Sequence, residues 1–253
     1  MANKYINLDL NNINDEHICC AITNTKHKHH EGVLNKKKWL KTQIPEGHVF
    51  RKLDDRGKVF IEYCPLEYAY VPIEGENYNY IYCFWVSGKF KKNGHGKNLL
   101  NYAIEDSKKN NKSGLCVITG KDKKLPFLSD GKYLVKHGFK VVDSTDSFNL
   151  LALSFDDNPL PKFSKKAKEN KIADKKGVVI YYSDECPYIN NCILEIKEVC
   201  NDENIDLKLI HLDTIEKAKD SPVILNNFVV FYNGEFITHE LLNKGRFKKF
   251  LKI

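Results

Sequence analysis

The segment 80–117 constrains the fold of this chain more than any other part of the sequence. It begins with the apolar run 80–86, continues through a basic loop that holds Gly94 and Gly96, and ends in an amphipathic helix and a second apolar run. Glycine lets the backbone approach an anion without an intervening Cβ, so that consecutive N–H groups and the positive end of a helix dipole can converge on it. This order predicts a strand, an anion-binding loop, a helix and a strand.

The loop resembles motif A of the GNAT (Gcn5-related) N-acetyltransferases, in which Gln or Arg is followed by x-x-Gly-x-Gly/Ala after a strand. Here the pattern is Lys91-x-x-Gly94-x-Gly96, with Lys in the first position. The resemblance covers about residues 1–155 and implies an α/β fold, the mixed central sheet of the GNAT acyl-CoA N-acyltransferases with helices on both faces. The phrases that resemble the GNAT subgroup with a YoaP-like C-terminal domain are 57–63, 85–88 and 126–130.

Composition bounds the class of protein. A chain of 253 residues exceeds the usual single-domain size, which predicts two domains. The apolar runs fall short of the roughly 18 residues of a membrane span, and the start of the chain lacks the apolar segment of a signal peptide. We therefore expect a cytoplasmic protein without a membrane partner. The net charge is +7, but lysines are interleaved with acids along the chain, which argues against nucleic acid as a partner.

The cysteines and histidines do not predict a metal site. None of the eight cysteines stands in a Cys-x-x-Cys pair, and Cys19, Cys20, Cys83 and Cys116 lie in apolar segments, where a free thiol packs as a small hydrophobe. The histidine-rich segment 26–30 has no second ligand pattern nearby, so we interpret it as a solvated loop or a helix start. We therefore expect no bound metal.

The first 155 residues alternate between strand and helix patterns. Residues 14–16 open a predicted helix that reaches Ile22 and includes Cys19. Two β-rich runs flank a turn that contains Gly57, which predicts a hairpin. Gly138 is expected to end a helix. The predicted elements are strand 5–10, helix 31–44, hairpin strands 47–53 and 58–63, strand 80–86, helix 94–110, strand 115–119, helix 126–139, and strands 140–142 and 150–155.

A second, smaller domain is predicted after a polar segment. Residues 156–176 hold two prolines and a lysine-rich tract, which is typical of a linker. Residues 177–253 resemble the YoaP-like domain, whose order implies a thioredoxin-like α/β fold. The predicted elements are strand 178–182, helix 188–201, strand 207–212, helix 214–219, hairpin strands 228–232 and 235–237, and helix 246–251.

Cys186 is the one position in this second domain with a chemical reason to be reactive. It stands at the start of a predicted helix, where the dipole favours the thiolate. Its usual partner position holds Ile189, the next cysteine is Cys192, and Asn226 aligns with the cis-proline of thioredoxins. Two interpretations stay open: a redox thiol, and a docking or substrate-presenting module, which these substitutions favour.

The resemblance implies that acetyl-CoA lies in a splay between strands 80–86 and 115–119. The backbone N–H of Val86 would then polarise the thioester carbonyl, where negative charge accumulates as the amine attacks. Ser129 takes a position near that of an asparagine of the family, which is Phe127 here. The predicted cofactor contacts are Trp85, Val86, Ser87, Lys91, Lys92, Asn93, Gly94, His95, Gly96, Lys97 and Ser129.

The amine must lose a proton and the leaving thiolate can gain one. Glu62 is the first candidate for the base and Glu67 the second, with a solvent-facing strand residue as the alternative for Glu62. The tyrosine with which the family protonates the thiolate corresponds to Leu134, one residue after Tyr133. Either Tyr133 substitutes for it or the thiolate leaves unassisted.

The sequence therefore predicts an acyltransferase of the N-acetyltransferase class, which transfers acetyl from acetyl-CoA to an unknown primary amine in a ternary complex. The acceptor is either a small molecule or a protein, and association into a homodimer is left open. Two alternatives remain: an acyl-CoA-binding adaptor without turnover, and a thiol oxidoreductase that acts through Cys186.

Overall fold

The computed structural model describes residues 4–18, 21–122, 124–125 and 127–253. Its backbone contacts divide the chain into two compact units. Unit 1 comprises Met1–Ile22, Leu40–Ala69 and Ile73–Phe163, and unit 2 comprises Thr23–Trp39, Tyr70–Pro72 and Ser164–Ile253. This division differs from the predicted boundaries 1–155, 156–176 and 177–253, because two segments of the first 155 residues belong to unit 2 and the predicted linker holds a strand and a helix.

Thirteen strands and seven α-helices lie in the described residues. In chain order they are β1 (Tyr5–Asn7), α1 (His30–Gln43), β2 (Val49–Leu53), β3 (Val59–Pro65), β4 (Ile73–Glu74), β5 (Tyr78–Val86), α2 (His95–Lys109), β6 (Gly114–Gly120), α3 (Gly131–Lys136), β7 (Lys140–Ser144), β8 (Phe148–Ser154), β9 (Lys162–Phe163), α4 (Lys165–Glu169), β10 (Val178–Tyr182), α5 (Ile189–Asp202), β11 (Leu207–His211), α6 (Ile215–Lys219), β12 (Phe228–Tyr232), β13 (Glu235–Thr238) and α7 (Lys244–Leu251). Among these helices, none has the length and apolar character to cross a membrane.

A seven-stranded mixed sheet forms the centre of unit 1. The strand order is β1-β2-β3-β5-β6-β8-β7, and β5 and β6 are the parallel pair while the other neighbours are antiparallel. Helix α2 packs on β3, β5 and β6 and buries Leu99, Leu100 and Ala103 against Ile61 and Ile81 of the sheet. The predicted mixed α/β sheet is confirmed, as are the hairpin β2–β3 and the helix α2 to within about two residues.

A β-bulge interrupts the pairing of β3 with β5. Glu62 opposes Cys83, while the next residue, Tyr63, opposes Ile81, so Tyr82 is the extra residue. A bulge shifts the alternation of side chains by one residue. As a result Ile81, Phe84 and Val86 all pack on the core beneath α2, although strict alternation would put Ile81 on the face opposite to the other two.

Unit 2 is built around a four-stranded sheet with the order β11-β10-β12-β13. Strands β10 and β11 are parallel and joined through α5, and β12 and β13 run antiparallel to their neighbours. The apolar side of α5 buries Ile193, Ile196 and Val199 against Val178 and Ile180 of β10. The strand and helix types predicted for 178–251 are confirmed, and the thioredoxin-like comparison stays a prediction.

The helix predicted to open at 14–16 is wrong for the described residues 14–18. This region is a series of turns, because the Asp9 carboxylate accepts hydrogen bonds from the N–H groups of Asn11 and Asn12 and the Asn12 side chain binds back to the Asp9 N–H. Short polar side chains that bond their own backbone compete with helix formation. Cys19 and Cys20 lie outside the described residues.

The helix predicted over 126–139 is shorter in the structure. Helix α3 starts after Asp130, whose side chain accepts a hydrogen bond from the Tyr133 N–H and so caps it. Its predicted end is confirmed: Gly138 has a φ of 93° and donates to Val135 O, a conformation that glycine adopts without strain. Pro126, at the predicted start, lies outside the described residues.

Candidate active site

Strands β5 and β6 part beyond their first three paired residues. They pair from Tyr78 opposite Gly114 to Tyr80 opposite Cys116, and β5 then runs on to Val86 beside a gap. A cavity of about 280 Å³ opens at this end of β5 and is called the cleft. The residues that line the cleft are Phe84, Trp85, Val86, Ser87, Lys91, Gly96, Lys124, Leu128, Asp130 and Tyr133.

The backbone of β5 points a donor into the gap. The Ser87 N–H donates to Lys58 O of the antiparallel neighbour at 3.1 Å. Consecutive N–H groups in a strand point to opposite edges. The N–H of Val86 therefore faces away from β3, toward the edge from which β6 has withdrawn.

The loop that follows β5 ends in two residues with left-handed backbone, Lys92 at φ 65° and Gly94 at φ 78°. The first hydrogen bond of α2 runs from the Asn98 N–H to Gly94 O, so the N–H groups of His95, Gly96 and Lys97 have no acceptor within the helix. Left-handed residues next to a helix N-terminus form a concave set of N–H donors that suits an anion. This end of α2 borders the cleft through Gly96.

Tyr133 of α3 reaches the start of α2. A Cβ on Gly96 would lie 3.0 Å from the Tyr133 hydroxyl, so glycine makes room for this side chain. The Tyr133 ring stacks on His137 at a centroid distance of 4.2 Å and meets Phe84 edge-on at 5.6 Å. Burial raises the pKa of Tyr133 above its ordinary value, so that its hydroxyl is protonated at neutral pH.

Glu62 is buried rather than exposed to solvent. Its Oε1 lies 3.1 Å from Nε2 of His48, and neither side chain has any exposed surface. The His48 ring stacks on that of Tyr82, the bulged residue of β5, at 5.3 Å. Glu62 opposes Cys83, three residues before Val86, on the sheet face opposite to the core that contains Ile61 and Tyr63.

The second candidate base lies at the other end of the β3–β5 pairing, away from Val86. Glu67 follows β3 beyond Pro65, accepts a hydrogen bond from the Asn77 N–H at 2.6 Å and pairs with Lys112 at 3.5 Å. Asn77 precedes β5, whereas Val86 ends it. The structure therefore brings Glu62, and not Glu67, toward the part of β5 that borders the gap.

The predicted cofactor contacts fall into three groups. Trp85, Val86, Ser87, Lys91 and Gly96 line the cleft. Lys92, Asn93 and Gly94, in the loop before α2, and Lys97, in its first turn, are exposed. The His95 side chain is buried and bonds through Nδ1 to the Tyr5 hydroxyl at 2.7 Å, so that only its backbone faces the loop; Ser129 lies in the wall of a different cavity.

Several site residues were missed from the sequence. Phe84, Lys124, Leu128 and Asp130 line the cleft, and His48 pairs with Glu62. The hairpin register could have found His48, because Phe50 opposes Glu62 and the residue two positions earlier is its diagonal neighbour on the same face. The loop that brings Lys124 and Asp130 together at 3.0 Å carries no comparable signal.

In unit 2, the two cysteines near α5 have different surroundings. Cys186 lies three residues before the helix, and its carbonyl accepts a hydrogen bond from the Ile189 N–H. The Cys192 Sγ is buried between the N–H and the carbonyl of Leu242, at 3.2 and 3.0 Å. Burial raises the pKa of Cys192 to about 12. Cys192 is therefore a packed thiol, without the properties of a resolving cysteine.

Comparison with known proteins identifies the family. The YoaP-like family model matches residues 206–249. Uncharacterized N-acetyltransferase YoaP of Bacillus subtilis (strain 168) is 41% identical over 251 residues, which is 98% of each chain. The chain belongs to the YoaP family of N-acetyltransferases.

Solved structures of acetyltransferases resemble part of the chain. PaiA N-acetyltransferase from Thermoplasma acidophilum, in complex with coenzyme A, is 18% identical with a TM-score of 0.37 and covers 49% of this chain and 76% of its own. The ribosomal-protein-S18-alanine N-acetyltransferase from Escherichia coli is 13% identical with a TM-score of 0.39 and covers 62% and 97%.

Proposed function

We propose that this N-acetyltransferase uses acetyl-CoA and transfers the acetyl group to a primary amine by direct attack within a ternary complex. The parting of β5 from β6 carries the proposal, since it turns the Val86 N–H toward a gap that borders the cleft. A donor held there stabilises the negative charge that develops on the thioester oxygen. The identity of the relative as an N-acetyltransferase agrees with this chemistry.

The two ends of the cleft suit the two ends of the cofactor. Gly94 and the first N–H groups of α2 form a donor set for the pyrophosphate, and Lys91 adds positive charge beside it. Phe84, Trp85 and Leu128 give the cleft walls that suit the less polar pantetheine arm. The thioester then lies against Val86.

In the transfer step the amine nitrogen forms a bond to the thioester carbon, and the carbon–sulfur bond breaks. The sulfur leaves as a thiolate, and the Tyr133 hydroxyl donates a proton to it. The amine proton passes to Glu62. Because Glu62 has no exposed surface, the proton reaches it through intervening groups, of which His48 is in direct contact.

For unit 2 we propose a thioredoxin-like architecture and a docking role. The strand order β11-β10-β12-β13, with a parallel pair joined by a helix, supports the architecture. The engagement of Cys192 with Leu242 favours docking over dithiol exchange, because a thiol buried in this way is a poor partner for a disulfide at Cys186. We place the enzyme in the cytoplasm, since Cys192 and Cys200 are buried thiols, which a reducing compartment maintains.

Calorimetry with acetyl-CoA tests the phosphate-binding loop through a matched pair of glycine substitutions. Gly94 and Gly88 both have positive φ, and an added Cβ on either would have no neighbouring atom within 4 Å. Gly94→Val and Gly88→Val therefore carry similar backbone strain, but only the first puts a side chain at the donor set. We expect affinity to fall at least tenfold for Gly94→Val and less than threefold for Gly88→Val.

Equal losses of acetyl-CoA affinity in the two variants would contradict the assignment of the pyrophosphate to the start of α2. A companion assay follows release of the CoA thiol with a panel of small amines and peptides. Acetyl-CoA binding without any transfer across the panel would contradict the ternary-complex mechanism while leaving the cofactor site intact.

A further inference from the structure

A second cavity lies in unit 1, beyond β6 from the cleft. Its volume is about 610 Å³, within the range of small-molecule sites. It lies between α3 and the strands β6, β7 and β8, and it shares only Lys124 and Asp130 with the cleft. The residues that line it are Thr119, Gly120, Lys121, Asp122, Lys124, Ser129, Asp130, Gly131, Lys132, Val135, Lys136, Val141, Asn149 and Leu151.

The rim of this cavity is positively charged. Four lysines and two aspartates line it, which leaves an excess of two positive charges. Lys132 and Lys136 are four residues apart on α3, so their side chains lie on the same side of the helix. Among the described residues neither forms an ion pair, whereas Lys124 is held by Asp130 at 3.0 Å. The two ammonium groups of α3 are thus available to an anion.

The wall between these lysines is apolar. Val135 and Val141 are 52% and 53% exposed, which is unusual for two valines that border one cavity, and Leu151 lies in the same wall. Removal of an apolar surface of this kind from water by a ligand is favourable. The combination suits a ligand that is partly apolar.

A buried hydroxyl completes the wall. Ser129 is 5% exposed, and its Oγ has no hydrogen-bond partner among the described residues. A buried hydroxyl without a partner is unfavourable, because it has lost its hydrogen bonds to water. Thr119 and Asn149, which oppose each other on β6 and β8, add further polar atoms to the same wall. An oxygen atom of a ligand can supply the partner that Ser129 lacks.

We propose that this second cavity binds an organic anion, a carboxylate or a phosphate carried on an apolar body, at a site distinct from the acetyl-CoA cleft. The anionic group lies between Lys132 and Lys136, and the apolar body covers Val135 and Val141. This site does not depend on the reaction proposed for the cleft, because the anion needs neither Val86 nor the start of α2.

Titration calorimetry on the full chain tests the site with octanoate and, separately, octyl phosphate, each with and without saturating acetyl-CoA. We expect saturable binding of one anion per chain in both conditions, and no comparable binding of octylammonium. Whichever anion binds more tightly identifies the preferred head group. Binding of the anion without acetyl-CoA is measured in any case, so failure of the cofactor site does not obscure the result.

Two variants locate the binding. Lys132→Gln combined with Lys136→Gln should weaken the better anion about tenfold, and Val141→Asp, at an exposed position of β7, should weaken it by a similar factor. The matched control combines Lys108→Gln with Lys109→Gln in the last turn of α2, away from the cavity, and should stay within twofold of the wild type.

Three results would overturn the proposal. Absence of saturable binding by both anions would remove the site. Wild-type affinity in the Lys132/Lys136 double variant would place the anion elsewhere. Displacement of the anion by acetyl-CoA would show that the probe, or the cofactor's own phosphates, had occupied the same space.

Discussion

The two units contain the same structural element, a pair of neighbouring parallel strands, and treat it in opposite ways. In unit 1, β5 and β6 pair over three residues and then part. In unit 2, β10 and β11 pair over five residues, from Val178 opposite Leu207 to Tyr182 opposite His211. The open ladder turns backbone donors toward a cavity, whereas the closed ladder directs its donors to the neighbouring strand. The difference agrees with the proposal that unit 1 carries out the transfer and that unit 2 has a docking role.

The largest expected effect is on catalytic activity, and it should distinguish a substitution in unit 1 from one in unit 2. Glu62→Gln keeps the shape of the buried side chain beside His48 but cannot take a proton, so kcat/KM should fall by roughly 10²–10⁴ while acetyl-CoA affinity is unchanged. Cys186→Ser, beside the closed ladder, should leave transfer to small amines unaltered. Steady-state kinetics with calorimetry measure both. A loss below threefold for Glu62→Gln at every pH would assign the proton to another group.

The second largest expected effect concerns the packing of α1 within unit 2. Helix α1 passes so near the loop before α5 that a Cβ on Gly32 would lie 1.9 Å from Pro187 O. Gly32→Ala should therefore lower the free energy of unfolding by about 3 kcal/mol, as overpacking against a backbone atom requires a shift. Gly245→Ala is the control, since its Cβ meets nothing closer than 3.8 Å, and it should be neutral or stabilising.

Urea denaturation of both variants, followed by a probe of unit 2, measures these changes. The same contact predicts that a fragment beginning at Ser164 is less stable than the unit in the full chain, because Thr23–Trp39 and Tyr70–Pro72 are missing from it. A fragment as stable as the intact unit would contradict the assignment of these segments to unit 2.

Acid should lower the stability of unit 2 through protonation of His239. Burial lowers the pKa of His239 to about 4, with a hydrogen bond to the Phe228 backbone opposing the shift. Because the folded-state pKa is below the unfolded value of 6.5, the stabilisation is fully present above pH 6.5 and is lost as the pH falls toward 4. Between pH 7.5 and pH 5 this loss is about 2 kcal/mol.

The variant His239→Gln isolates this contribution. It should reduce the difference between urea midpoints at pH 7.5 and pH 5, whatever its effect on stability at pH 7.5. An unchanged difference would assign the pH dependence to other groups.

The smallest expected effect concerns the packing of Tyr133 against the start of α2. A Cβ on Gly96 would crowd the Tyr133 hydroxyl at 3.0 Å but the ring carbon that bears it only at 3.5 Å. Gly96→Ala should therefore weaken acetyl-CoA binding less in a Tyr133→Phe background than in the wild type, with a coupling of about 1 kcal/mol in a double-mutant cycle. Additive losses would place the hydroxyl away from the start of α2.

Local patterns predicted the strand, loop and helix that border the cleft. The apolar run of β5, the glycine pair at 94 and 96 and the amphipathic α2 are each encoded by neighbouring residues, so their order and bounds followed from the sequence. The hairpin and the strands of unit 2 followed for the same reason. Helix predictions were wrong where Asp9 and Asp130 bond the backbone, because a capping side chain overrides a periodic pattern.

The features that the sequence did not predict depend on contacts between residues that are distant in the chain. His48 pairs with Glu62 only once the hairpin register is fixed, and Lys124 reaches the cleft through a loop with no regular pattern. The segment Thr23–Trp39 joins unit 2 through the approach of Gly32 to Pro187, which no local signal indicates. The loop before α2 was therefore predictable, and the contact between His48 and Glu62 and the position of Lys124 were not.

The bulge at Tyr82 gives β5 one residue more than its pairing with β3 needs. If β5 kept all its residues but alternated regularly from Ile81 to its end, Phe84 and Val86 would turn away from the core beneath α2, and Trp85 instead of Val86 would offer its N–H to the gap. Deletion of one residue at the bulge would have a different result. With Tyr82 removed, β5 would pair with β3 without interruption, and Phe84 and Val86 would keep their present face. The strand can therefore lose this one residue and still direct the N–H of Val86 toward the gap.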